Sequence, residues 1–140
     1  MDDLLSCMNT DEGFKPYAYQ DSLGYCTVTF GKCIDKRAGC GLTREEGLYL
    51  LKNELALCKE QLEHFYWYTA MEPVRQEVLI ELCYNIGLPK LLKFKDMIGF
   101  LQQHDYKSAA TAMLCSEWHR QVGDTRANNM AQRLVTGSYA

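Results

Sequence analysis

Asp11-Glu12-Gly13-Phe14, then Tyr19-Gln20-Asp21-Ser22-Leu23-Gly24, then Tyr25-Cys26-Thr27-Val28-Thr29-Phe30-Gly31: across this stretch the chain changes its hydrophobic period. Before it, Leu4, Leu5, Cys7 and Met8 form a short helical stripe, and Gly13 can stop that helix, which puts Glu12 at its C-terminal end. Within it Tyr17 and Tyr19 alternate, Asp21 to Gly24 supply turn chemistry, and Tyr25, Thr27 and Thr29 alternate with Cys26, Val28 and Phe30. Period two on both sides of a turn predicts a hairpin whose second strand has an apolar face and a hydroxyl-bearing face. Gly31, Gly39 and Gly41 then punctuate a loop around Cys33 to Cys40, with room for a short third strand.

Downstream the period returns to helix. Thr43-Arg44-Glu45-Glu46 reads as a capping box that opens a long helix to about His64, with Leu48, Leu51, Leu55, Cys58 and Leu62 on one stripe. Pro73 suits a first helical turn before Val74, Val78, Leu79, Leu82 and Cys83, and Gly87-Leu88-Pro89 reads as its stop. Further helices fit Phe94 to Gln103, Tyr106 to Leu114 and Asp124 to Leu134. These elements predict an α+β fold: a small β-lobe at about 13–42, a connecting helix at about 43–64, and a helical lobe at about 65–140. The N-terminal helix 2–12 is expected to pack back onto that helical lobe.

The chain's 140 residues fit one domain with a real core, and 15 basic against 18 acidic side chains leave a net charge of −3. No basic stripe follows from that balance, since the largest local cluster is Lys90, Lys93 and Lys95, so nucleic acid is not expected as a partner. The opening Met1-Asp2-Asp3 lacks the basic n-region of a secretory signal, and no apolar run approaches the ~18 residues of a membrane span. Seven cysteines without a CxxC pair or a nearby His do not make a zinc site at Cys26, Cys33 and Cys40. A Cys33–Cys40 loop disulfide is the pairing the spacing allows in an oxidising compartment.

Glu12 and Asp21 are the carboxylates that invite chemistry. A short β-excursion between them brings both to one cleft, with Thr27 on the returning strand. One carboxyl to protonate a leaving oxygen and a second to handle water is the equipment of glycoside hydrolysis. A helix C-terminus favours the neutral form of Glu12, whereas Asp21 among turn amides and solvent is expected to stay ionised. The plainer reading is that Asp21 only starts a turn and Glu12 is a solvated helix end.

The quoted stretch resembles the active-site region of the bacteriophage T4-type lysozymes, whose pattern has Glu-Gly, an aromatic, Asp, then Gly and Thr at these intervals. Tyr84-Asn85-Ile86-Gly87 is similar to that family's aromatic–amide–aliphatic–Gly segment, Phe94 through Trp118 to the rest of its helical lobe, and Arg126-Ala127 to a late Arg-Ala pair. The likeness spans nearly the whole chain. It implies a lysozyme-like fold with the cleft between lobes and no metal or organic cofactor. Glu12 would then be the general acid, Asp21 the carboxylate that activates water, and Thr27 the hydroxyl that helps hold it. Tyr84 and Asn85 would contact substrate, Asn85 through an N-acetyl group, and Arg126 would pair with Glu12 to orient it.

The implied reaction is inverting hydrolysis of the β-1,4 bond between N-acetylmuramic acid and N-acetylglucosamine in bacterial peptidoglycan. The implied setting is a monomeric phage endolysin, made in the host cytoplasm and released to the periplasm and wall with a holin's help. A tail-associated lysozyme, a lytic transglycosylase and a catalytically silent wall-binding protein are the alternatives. Two positions depart from the family pattern: Lys32 stands where His is usual, and Thr29 where Gly is common. Trp118 is expected as a packing anchor, and Trp67 in the Phe65–Tyr68 aromatic cluster as core.

Overall fold

The computed structural model describes residues 1–139 and shows a mostly helical chain with one small antiparallel sheet, the α+β class expected. It divides into two compact units, 1–49 and 50 onward, with the boundary inside a helix.

In the first unit α1 (Asp2–Glu12) ends where Gly13 turns to φ +69°, so Glu12 is its last residue. The sheet has the order β1-β2-β3, with β1 at Lys15–Gln20, β2 at Cys26–Thr29 and β3 at Lys32–Cys33. The register pairs Tyr19 with Thr27 and Gln20 with Cys26, then slips between Lys15 and Tyr19. On the other side of β2, Thr27 pairs with Cys33. A 3-10 turn at Lys36–Ala38 follows, closed by Gly39 in the left-handed conformation.

No apolar side chain of this unit is buried among the described residues; its buried side chains are Thr27 and Asp35, both polar. The hydroxyl-bearing face of β2 thus has its middle residue covered, while Phe30 lies half exposed against Phe14, ring centroids 5.4 Å apart. Polar contacts replace a core here. Asp35 accepts from the amides of Cys26 and Arg37 at 2.9 Å each and from the Arg37 guanidinium at 2.7 and 3.0 Å. Arg37 in turn donates to the Gly24 carbonyl at 2.9 Å, so one ion pair ties the 3-10 turn to both ends of the Gly24–Cys26 segment.

Helix α2 (Arg44–Leu62) opens with the expected capping box: the Glu46 carboxylate accepts from the Thr43 amide at 2.9 Å, and the Glu46 amide donates to the Thr43 hydroxyl at 3.1 Å. It ends two residues short of His64. In the second unit follow α3 (Tyr66–Thr69), α4 (Pro73–Ile86), α5 (Leu88–Leu91), α6 (Lys95–Gln102), α7 (Tyr106–Leu114), α8 (Glu117–Val122) and α9 (Asp124–Thr136). Leu62, Val78, Leu79, Leu82, Leu91, Leu101, Met113 and Leu134 are buried at its centre, where α4, α6, α7 and α9 pack. Burying each such side chain fully is worth ~1.5–3 kcal/mol, so this unit is stabilised by an ordinary hydrophobic core. Trp67 and Trp118 are both buried in it, as expected.

Candidate functional site

Glu12 stands exposed at the end of α1, and its carboxylate makes no hydrogen bond or ion pair among the described residues. A Cβ added at Gly31 would lie 3.5 Å from Glu12 Oε2. That spacing is ordinary contact. What reserves position 31 for glycine is its φ of +85°, which lets the chain leave β2 beneath the carboxylate.

Asp21 begins the hairpin turn. Its Oδ1 accepts from the amides of Leu23 and Tyr25 at 2.9 Å each, and its own amide donates to the Tyr25 carbonyl at 2.9 Å. Two amide donors fix Oδ1, so the carboxylate has one orientation and Oδ2 remains open to a ligand. Because Asp21 lies opposite Tyr25, and Tyr19 opposite Thr27, Asp21 and Thr27 are diagonal neighbours on one face of the hairpin. The Thr27 hydroxyl donates to the Tyr25 carbonyl at 2.9 Å, which commits its proton and leaves its lone pairs as acceptors. A buried acceptor beside a fixed carboxylate is an arrangement that can hold a water by its hydrogens. Thr29, at the end of the strand, takes a φ of +55°, the left-handed conformation suited to the glycine common at that place. Lys32 pairs with Glu46 at 3.4 Å.

In the second unit Tyr84 is half exposed on α4, not a core residue, and stands between two open grooves. One, of about 690 Å³, includes Leu51, Leu55, Ile80, Glu81 and Arg126 in its lining; the other, of about 630 Å³, includes Asn85, Gly87, Leu88 and Gln61. Asn85 Oδ1 accepts from the indole nitrogen of buried Trp118 at 3.0 Å. That bond fixes which way the amide points, so the Asn85 NH₂ is presented as a donor. Arg126 on α9 donates through Nε to Glu81 at 3.2 Å, and Glu81 also holds Arg133. Glu12, Asp21 and Thr27 thus lie in one unit and Tyr84, Asn85 and Arg126 in the other.

The sequence of residues 9–135 matches the family model described as phage lysozyme. The chain belongs to the phage lysozyme family. It is also similar to the Dictyostelium discoideum protein named "Probable T4-type lysozyme 1", with 22% identity over 155 aligned positions that cover 91% of each chain. Peptidoglycan hydrolysis is the chemistry of phage lysozymes. No helix among the described residues is long and apolar enough to cross a membrane.

Asp35, which anchors the start of β2, is the buried polar residue that sequence reasoning missed. Its carboxyl is held well below the usual range, first by the Arg37 side chain and then by the Cys26 and Arg37 amides. It fixes the start of β2 one residue before Thr27. Two of its partners are backbone amides, one of them nine residues back, so no spacing of side chains advertised it. The legible signal was only an Asp two residues before an Arg in a loop, a common pattern at turns.

Proposed function

We propose that this chain is an active lysozyme that cleaves the β-1,4 bond between N-acetylmuramic acid and N-acetylglucosamine with inversion. Glu12 donates the proton to the leaving oxygen. Asp21 takes a proton from the attacking water, and Thr27 holds that water through its lone pairs. Tyr84 and Asn85 contact the saccharide. Arg126, expected from the family resemblance as the partner that orients the acid, donates its Nε to Glu81 at 3.2 Å instead. The observation that carries this reading is the Asp21–Thr27 pair on one hairpin face, with Asp21 Oδ1 fixed by two amides and the Thr27 proton committed to Tyr25. A turn aspartate alone would not require a buried hydroxyl acceptor two residues beyond its partner.

The biological role we propose is host lysis by a phage: synthesis in the host cytoplasm, then holin-dependent release to the periplasm and wall, as a monomer. Turbidity loss of outer-membrane-permeabilised Gram-negative cells, with reducing-end assay of the products, tests the chemistry. Wild-type protein is expected to clear cells and generate reducing ends. Glu12→Gln, which removes no hydrogen bond or ion pair of the fold, is expected to lose ~10²-fold or more of that rate with unchanged circular dichroism. Products with anhydro ends would assign a lytic transglycosylase instead. Wall binding without clearing by either protein would assign recognition alone.

A further inference from the structure

Two exposed amides of the second unit are anchored in the same way. Asn85 on α4 accepts through Oδ1 from the buried indole nitrogen of Trp118 at 3.0 Å. Gln61, next to the last residue of α2, accepts through Oε1 from the buried thiol of Cys83 at 3.8 Å, within reach of a sulfur donor. In both amides the acceptor end is committed to a buried donor, and the NH₂ end makes no hydrogen bond among the described residues. Both line the groove of about 630 Å³ beside half-exposed Tyr84. Leu57, Gln61 and Leu88 also line a second depression of about 390 Å³, which reaches His64 and Phe65, so the two run together at Gln61. No Lys or Arg lines either part, while Glu54 and Glu60 do, so an anionic ligand is disfavoured. The donor set suits a neutral ligand that offers carbonyl oxygens to the two NH₂ groups and apolar edges to Tyr84 and Leu57.

We propose that Gln61 is a specificity residue of this groove: with Asn85 it selects N-acetylated glycan, its NH₂ donating to the acetamido carbonyl of one sugar while Asn85 serves another. The inference rests on Tyr84 and Asn85 being saccharide contacts and extends that contact to α2. An acetamido group is neutral, accepts through its carbonyl oxygen and carries a methyl for the apolar wall. A free amine on the same sugar carbon is an ammonium in neutral solution, a donor that offers neither amide an acceptor. Glu54 and Glu60 would attract that ammonium, so charge works against the selection and the two amides carry it. A ligand without acetyl groups leaves both donors unpaired, which is how a polar site rejects an analogue. Burial pushes the Cys83 thiol up to about 12, so it keeps the proton that holds Gln61 Oε1 through the neutral range.

The test titrates the tetramer of N-acetylglucosamine, and separately its fully deacetylated counterpart, into the isotope-labelled full chain. The side-chain NH₂ resonances of Gln61 and Asn85 report on the contact without any substitution. Both pairs are expected to shift with the acetylated tetramer along one binding curve. Gln61→Leu is expected to weaken that tetramer by about two- to tenfold, the worth of one hydrogen bond, and to leave the deacetylated one unchanged. Gln61→Glu keeps the shape and an oxygen for Cys83 but replaces the donor by an acceptor. It is expected to lower the ratio of the two affinities by about tenfold or more. A shift of the Asn85 pair with the Gln61 pair unmoved would overturn the role of Gln61 and leave the saccharide contacts standing. Equal weakening of both tetramers in Gln61→Leu would reduce Gln61 to a structural residue. No shift in either pair, with neither tetramer bound, would overturn the saccharide contacts together with this inference.

Discussion

Thr29 is a β-branched residue at φ +55°, where its side chain crowds the backbone and glycine does not. Occupying that region costs an L-residue ~1–2 kcal/mol, part of which glycine would return through its freer unfolded chain. Thr29→Gly is therefore expected to raise stability by ~0.5–1 kcal/mol, read as a shift of the urea midpoint with unchanged slope. A loss of stability would mean that the Thr29 side chain contributes more than its backbone costs. Asn85 makes the opposite case. Its Oδ1 is the partner of the buried Trp118 indole nitrogen, so Asn85→Leu strands a donor inside the helical unit. The expected cost is ~1–3 kcal/mol, and Asn85→Gln should recover part of it if the longer amide reaches the indole. Equal stability of all three proteins would show that the bond is replaced by water.

Helix ends were the most readable elements, because each is a local event. Gly13 stops α1, Thr43 and Glu46 cap α2, and Gly87 stops α4, all from residues within a turn of the boundary. The short helices α3, α5 and α8 escaped because four to six residues are too few to show a period. Asp35 escaped because its role lies in which amides its carboxylate reaches, and that is set only when the 3-10 turn has formed. Its contribution has a definite sign with pH. The folded carboxyl is held below its ordinary range by Arg37 and the two amides, so its stabilisation is fully present above the unfolded carboxylate's pKa of about 4. It is lost as pH falls from there toward the depressed folded value. Glu46, lowered first by the Thr43 amide and then by Lys32, acts in the same direction. An acid titration followed by the backbone resonances of Cys26 and Arg37 should show the β2 clamp intact at mildly acidic pH and opening only in strong acid. Asp35→Asn should start looser at neutral pH and show a shallower acid dependence; a wild-type curve in the variant would remove Asp35 from the clamp.

At the scale of the whole molecule, the two units are held by different physics. Every buried apolar side chain among the described residues lies at Cys58 or beyond, whereas the unit carrying Glu12, Asp21 and Thr27 buries only Thr27 and Asp35. Hydrophobic burial is cooperative over a packed core, while exposed ladders and ion pairs open locally at small cost. The amides of β1, β2 and β3 are therefore expected to exchange by openings well below the global unfolding free energy, with protection at least about tenfold weaker than in α4, α7 and α9. Leu79, fully buried on α4, separates the two behaviours. Leu79→Ala should cost ~2–5 kcal/mol and lower protection throughout the helical unit, yet leave the sheet amides exchanging as before, because they never waited for global unfolding. Hydrogen exchange followed by NMR reads both units in one experiment. Uniform protection from Lys15 to Leu134, falling everywhere by the same factor in Leu79→Ala, would show one cooperative body. Independent protection would show that the unit held by polar contacts opens without unfolding the helices.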